Sequence, residues 1–257
     1  MLTTLLDGQV MAEKHGSGRP RVLAMHGWAR NRHDWAPVLR GYDAVALDLP
    51  GFGATPPPAQ GWSTEQYAEH LLPLLDADAP VVLAGHSFGG RVAVHLARLR
   101  PEAVQGLLLT GVPLLRPAPA DAPARRGGPL DLRLAKALHR RGIVPESVVD
   151  KYRKKYGSAD YNAAQGVLRT VLVKAVNEDY TRELEAARAG GIRTEMVWGE
   201  GDTAASVAMA RTAAGLIGPT AHLDVVAGSA HLLDDQLVAH LRTALDRLLD
   251  TPKETQP

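Results

Sequence analysis

No cysteine occurs among the 257 residues. That excludes disulfides, thiolate nucleophiles and cysteine-ligated metals. Net charge is almost missing as well: 29 Lys and Arg face 28 Asp and Glu, a formal +1. Nothing global therefore favours a nucleic acid or a membrane surface as partner. No apolar run approaches the roughly 20 residues that cross a bilayer. The opening Met-Leu-Thr-Thr-Leu-Leu-Asp-Gly lacks a basic segment followed by a long apolar one, so the expectation is a soluble cytoplasmic protein without a signal peptide. What is present is ordinary for a globular chain, 45% hydrophobic and 22% charged. The length suits one large α/β domain or a domain with a sizeable insertion.

The chemical signal is concentrated at 81–90, Val-Val-Leu-Ala-Gly-His-Ser-Phe-Gly-Gly, with a helical pattern following at once. This predicts strand, sharp turn and helix, with Ser87 at the tip, where a base can reach its hydroxyl. Gly-x-Ser-x-Gly alone is expected by chance about 0.07 times in a chain of this composition. The alternative is a glycine-rich turn with a bystander serine, so a base, an acid and an oxyanion hole are required elsewhere.

Two short strands are predicted in 2–14 around the Asp7-Gly8 turn, and buried strands over 21–25, 44–47, 81–86, 106–110, 194–198 and 221–226. Helices are predicted at 35–39, at 64–75 with Ser63 or Thr64 as cap, after Ser87 to Arg100, and at 232–249 with Leu237, Leu241, Leu245 and Leu248 on one face. Continuous apolar strands separated by helices imply a parallel sheet covered on both faces. Ligands then bind at the carboxyl ends of the strands, where Ser87 lies.

Residues 113–191 break that rhythm. Pro113, Pro117, Pro119, Pro123 and Pro129 open the segment. Four helices are expected after them. The first has Leu130, Leu134 and Leu138 on one face, and the second starts at Pro145 with Val148, Val149, Tyr152 and Tyr156. The third is capped by Asp160 and carries Val167, Leu168, Val171, Leu172, Ala175 and Val176; the fourth runs from Glu178 to Ala189. The organisation expected is a core of 1–112 and 192–250, a helical lid of 113–191 and a flexible tail of 251–257. Between 114 and 190 there are 15 Lys and Arg against 9 Asp and Glu, clustered at Arg125-Arg126, Arg140-Arg141 and 151–155. This basic lid is either a solvated helix face or an attractor of an acidic or carrier-bound acyl group.

Among ten histidines, His231 is the candidate base, because it follows the strand 221–226 and precedes the last helix. His26 and His86 are expected to shape turns or donate supporting hydrogen bonds; His70, His95, His139 and His240 fall on helices. Asp202, in Trp198-Gly-Glu-Gly-Asp-Thr, is the candidate acid, with Glu200 as a rival in the same loop. The chain order is then Ser, Asp, His. Phe88 N–H, just after the nucleophile, and Trp28 N–H, after the strand 22–25, are the candidate oxyanion donors. Trp28, Tyr161, Leu168 and Leu172 are candidate pocket walls. No metal or cofactor is called for, and a small-molecule acyl substrate and a monomer or homodimer are expected.

His-Gly-Trp at 26–28, Asp-Leu-Pro-Gly-Phe-Gly at 48–53, Gly-His-Ser-Phe-Gly-Gly-Arg at 85–91, Gly-Glu-Gly-Asp at 199–202 and Gly-Ser-Ala-His at 228–231 together resemble the α/β-hydrolase superfamily over almost the whole chain. The capped carboxylesterases, lipases and carbon–carbon bond hydrolases are the most similar in look. The resemblance implies a mostly parallel eight-stranded sheet flanked by helices, with a helical cap inserted after the strand 106–110. The chain departs from the pattern in lacking a proline after Asp202 and another after His231. A serine nucleophile argues against dehalogenases and epoxide hydrolases of this fold. The function expected is serine hydrolysis of a carboxylic ester of a small or medium-sized substrate through an acyl-enzyme. The alternatives are a carbon–carbon bond hydrolase, a thioesterase or a lactone-forming acyltransferase with the same triad, and a non-catalytic ligand-binding protein.

Overall fold

A computed structural model describes residues 1–116, 134, 137–139, 141–145, 147–148 and 159–250. Leu6, Asp7 and Gly8 all take positive φ in the turn between β1 (Leu2–Leu5) and β2 (Val10–His15), which pair antiparallel. The following strands are β3 (Val22–Met25), β4 (Ala44–Leu47), β5 (Val81–His86), β6 (Val104–Thr110), β7 (Thr194–Gly199) and β8 (Ala221–Val226). They form one eight-stranded sheet in the order β1-β2-β4-β3-β5-β6-β7-β8. The β2–β4 pairing is antiparallel, and all later pairings are parallel.

Side chains alternate across the sheet, yet both sides of the central strands are buried. Leu23, Met25, Leu83, Leu107, Leu109 and Trp198 join a core with α2 (Thr64–Leu71), α3 (Phe88–Leu99), α6 (Thr181–Ala189) and α7 (Val207–Ile217). Val22, Ala24, Val82, Ala84 and Leu108 join a second core with Trp35, Val38 and Leu39 near α1 (Ala36–Leu39) and the leucine face of α8 (Asp235–Leu249). The continuous apolar runs are thus explained by helices on both faces. Among the described residues, no helix is long and apolar enough to cross a membrane.

Several boundaries differ from the sequence expectation. The helix predicted over 64–75 gives way to a 3₁₀ turn at Leu72–Leu74, because Pro73 cannot continue it. Its start is as expected: Ser63 caps α2 in a reciprocal box with Gln66. The helix expected to be capped by Asp160 is two helices, α4 (Ala159–Ala163) and α5 (Gly166–Ala175). Asp160 lies inside the first, and Gly166, at φ +52, breaks the run. The helix expected from Glu178 begins at Thr181, since Asp179 accepts the Thr181 N–H and hydroxyl and so ends the preceding loop. The last helix begins at Asp235 rather than Leu232, with Asp234 accepting from the Leu237 amide. Helix α7 had no counterpart among the sequence expectations. Its buried face is Ala210, Ala213 and Ile217, mostly alanine, so it lacks a leucine stripe; its signal was the Ser206 cap.

The expected helices over 130–138 and 145–156 fall largely outside the described residues, as do the basic clusters and the tail 251–257. Helices α4, α5 and α6 stand between β6 and β7.

Candidate active site

Strand β5 is buried along most of its length and ends at His86, and α3 begins at Phe88. Ser87, alone between them, has φ 48 and ψ −110. A non-glycine residue in this region is strained and persists only where its surroundings hold it. They do: Ser87 N–H donates to Thr110 O at 3.0 Å, and Gly89 N–H donates to His26 O at 3.0 Å. A β-carbon on Gly85 or Gly89 would overlap the backbone of Gly90 or of Met25. The elbow therefore depends on glycine at both flanking positions.

Two loops at the same edge bring in the other groups. Glu200 N–H donates to Val226 O at 3.0 Å and Gly201 N–H to Ser229 O at 2.9 Å, which fastens the loop after β7 to the loop after β8. The Ser229 hydroxyl donates to Asp234 Oδ1 at 3.0 Å, tying the second loop to the start of α8. Asp202 is buried there. Its Oδ1 accepts from the Ala204 and Ala205 amides, each at 2.8 Å, and its Oδ2 lies 2.8 Å from His231 Nδ1. A carboxylate only accepts, so Nδ1 carries the proton. His231 Nε2, left with its lone pair, is 3.2 Å from Ser87 Oγ. The structure thus brings Ser87, His231 and Asp202 together. Glu200, the rival carboxylate, is exposed.

The loop after β3 is braced by His26, expected to lend supporting hydrogen bonds, and by Asp48, for which the sequence suggested no role. Asp48 is fully buried and accepts from the Arg32 and Ala54 amides, both at 2.8 Å, and from the Arg32 guanidinium. His26 donates through Nδ1 to Gly27 O at 2.7 Å and accepts at Nε2 from Leu49 N–H at 3.0 Å. Burial holds the His26 imidazole down to about 4, so it is neutral near pH 7. The available signal for Asp48 was a charged residue directly after a wholly apolar strand. Among the described residues, neither the Trp28 nor the Phe88 N–H has an acceptor.

The chain's two phenylalanines meet at this point. The Trp28 ring stands edge-on to Phe52 at 4.9 Å and to Phe88 at 5.4 Å, with Tyr67 behind Phe88 at 5.2 Å. Of the other expected wall residues, Leu168 reaches this group through Gly51 and Leu172 is buried. Tyr161 has its ring beneath the Arg169 guanidinium. His95, expected on a helix surface or in packing, is buried with Nε2 3.1 Å from Thr64 Oγ1 and Nδ1 3.3 Å from Glu183. Among the described residues, no group of three or more His, Asp or Glu is arranged to hold a metal ion.

Chemically, the arrangement offers an exposed-side hydroxyl, a base in the right tautomer and a fixed carboxylate, beside an aromatic wall. Several known proteins are similar to this chain. A stretch of 98 residues is 43% identical to Lipase LipV of Mycobacterium tuberculosis, covering 36% of this chain and 37% of that protein. A stretch of 100 residues is 39% identical to a pimeloyl-[acyl-carrier protein] methyl ester esterase of Legionella pneumophila, covering 37% of this chain and 39% of that one. The chain thus spans under two fifths of the length of either curated relative. The solved structure of a bacterial membrane phospholipase A superposes with a TM-score of 0.69 at 21% identity, over 98% of this chain and 86% of that one, a likeness of fold. The model of the alpha/beta hydrolase family matches residues 22–241, most of the length, and the chain belongs to that family.

Proposed function

We propose that the chain is a serine hydrolase that cleaves a carboxylic ester of a small or medium-sized acyl substrate through an acyl-enzyme. The observation that carries this reading is the run of contacts from Asp202 Oδ2 to His231 Nδ1 at 2.8 Å and from His231 Nε2 to Ser87 Oγ at 3.2 Å. Lipase and esterase relatives support the ester over the thioester and carbon–carbon alternatives.

In the proposed mechanism His231 Nε2 takes the Ser87 proton as Oγ attacks the ester carbonyl. The Trp28 and Phe88 amides hold the oxyanion. His231 then gives the proton to the leaving alcohol, and Ser87 is left acylated. Water attacks the acyl-enzyme with His231 as base, which frees the acid and restores the Ser87 hydroxyl. Asp202 keeps the proton of the neutral imidazole on Nδ1 and stabilises the imidazolium formed at each transfer. The segment 113–191 serves as the lid, with Trp28, Tyr161, Leu168 and Leu172 as walls.

A carrier-linked ester is the second reading. It is supported by the acyl-carrier-protein ester named for one relative and by the 15 Lys and Arg against 9 Asp and Glu between 114 and 190. Hydrolysis of p-nitrophenyl butyrate by the purified chain, lost in Ser87→Ala, tests the first reading. Activity that survives the change defeats it. A preference for an acyl methyl ester on an acidic carrier over the same free ester, abolished by high salt, supports the second; equal rates refute it.

A further inference from the structure

His86 closes the elbow strand, next to the nucleophile in sequence, and is almost fully buried. Its Nε2 lies 2.9 Å from the main-chain oxygen of His231, a residue 145 positions away. A carbonyl oxygen only accepts, so Nε2 carries the proton and Nδ1 is a bare lone pair. Nδ1 has no partner among the described residues. It faces Gly27, where a β-carbon would come within 2.8 Å of it. Burial, and secondarily the neighbouring His231, hold the imidazole down to about 4. It is thus a neutral donor near pH 7. The two imidazole rings are tilted at 47° with centroids 5.0 Å apart.

The His231 side chain is held by Asp202 and Ser87. It lies in the loop between β8 and α8, outside both elements. The strand end that carries Ser87 therefore also grips the backbone of its partner. One rigid element sets both ends of the 3.2 Å Ser87–His231 contact.

On this basis we infer that His86 is a positioning residue: its N–H clamps the His231 carbonyl and so holds the base in register with Ser87. The inference rests on the reading of His231 as the base. A donor at the Nε2 position is what the role demands; an imidazole as such is not. His86→Gln places an amide N–H near that position. His86→Leu removes the donor, and His86→Asn keeps polarity but is too short to reach.

The experiment is ester hydrolysis by the three variants, with kcat expressed per site labelled by a fluorophosphonate, so that loss of folded protein is divided out. The expected result is a fall in kcat of about ten- to a hundred-fold for Leu and Asn, the scale of a small misplacement of a reacting group, with KM within about twofold. Gln should recover to within about threefold of the parent. If Leu does not fold, the Asn–Gln contrast decides. Unchanged kcat per site in Leu or Asn, or a Gln variant as slow as Asn, overturns the inference. A parent protein that is not labelled at Ser87 would instead overturn the hydrolase reading itself, which separates the two failures.

Discussion

Gly51 and Leu168 meet so closely that a β-carbon on Gly51 would overlap the Leu168 Cδ2 methyl. Gly51, at φ +91, lies in the loop after β4, and Leu168 is on α5 of the segment between β6 and β7. The contact seats α5 beside Phe52, and hence beside Trp28 and Phe88. Polar ties reinforce it: Lys174 donates to Gly61 O, and the Arg91 guanidinium to the Ala175 carbonyl at the end of α5. Helix α5 is thus docked to the segment between β4 and α2 and to α3.

Gly51→Ala is expected to cost about 1–3 kcal/mol, from the positive φ and from the displaced leucine together. That corresponds to a fall in Tm of roughly 2–10 °C for a chain of this size. Adding Leu168→Ala should recover part of the overlap cost but not the backbone strain. A double-mutant cycle by thermal unfolding measures the difference. Strict additivity would mean that the two residues do not press on each other.

Asp202→Asn keeps the shape of the acid and removes its charge. The amide can turn its N–H toward His231 and force the wrong tautomer. Per labelled site, kcat should fall by about 10³- to 10⁴-fold with little change in KM. Glu200→Gln, in the same loop but exposed, should stay within about twofold. Steady-state kinetics on one short ester compares them, and the reverse ranking would name Glu200 as the acid.

Stability should depend on acid through His26 and His86. Each is held down to about 4 in the fold and has an ordinary value near 6.5 when unfolded. Above pH 6.5 both are neutral in both states, and their full contribution is present. As the pH falls from 6.5 toward 4, the unfolded chain binds protons that the folded chain refuses, so stability is lost across that window. The loss is at most about 3 kcal/mol for each group. Thermal unfolding between pH 7.5 and 4.5 should show a shallower decline in His86→Gln than in the parent, because one such group is gone. Equal slopes would contradict the buried neutral state.

The pairing of α3 with α6 depends on a buried carboxylate. Glu183 accepts from Arg98 Nε at 3.0 Å and faces His95, and Arg98 also reaches Glu65. Glu183→Ala would leave Arg98 only the more exposed Glu65 as counter-charge, and breaking such a buried pair typically costs about 3–5 kcal/mol. Chemical denaturation should show that loss with the activity of the remaining folded protein unchanged. A loss below 1 kcal/mol would mean that solvent replaces the carboxylate.

The fold was legible because its central strands are apolar on both faces and its elbow is punctuated by glycine. Asp202 was separable from Glu200 by loop length alone, and the structure brings Asp202 to His231. The two-helix form of 159–175 was harder to see, because Gly166 acts through a backbone angle and not through polarity. Helix α7 escaped because alanine buries little surface and leaves a weak periodic signal. His86 pairs with the carbonyl of His231, 145 positions away, and His26 and Asp48 also take partners from other loops, Leu49 and Arg32. No local pattern encodes those pairings.

The central claim is that Ser87 is the activated nucleophile, and covalent labelling with a fluorophosphonate followed by intact-mass and peptide analysis tests it most directly. The account predicts one adduct per chain, located on Ser87, with labelling slowed in His231→Ala and absent in Ser87→Ala. An adduct on another residue, or labelling that persists in Ser87→Ala, would contradict it.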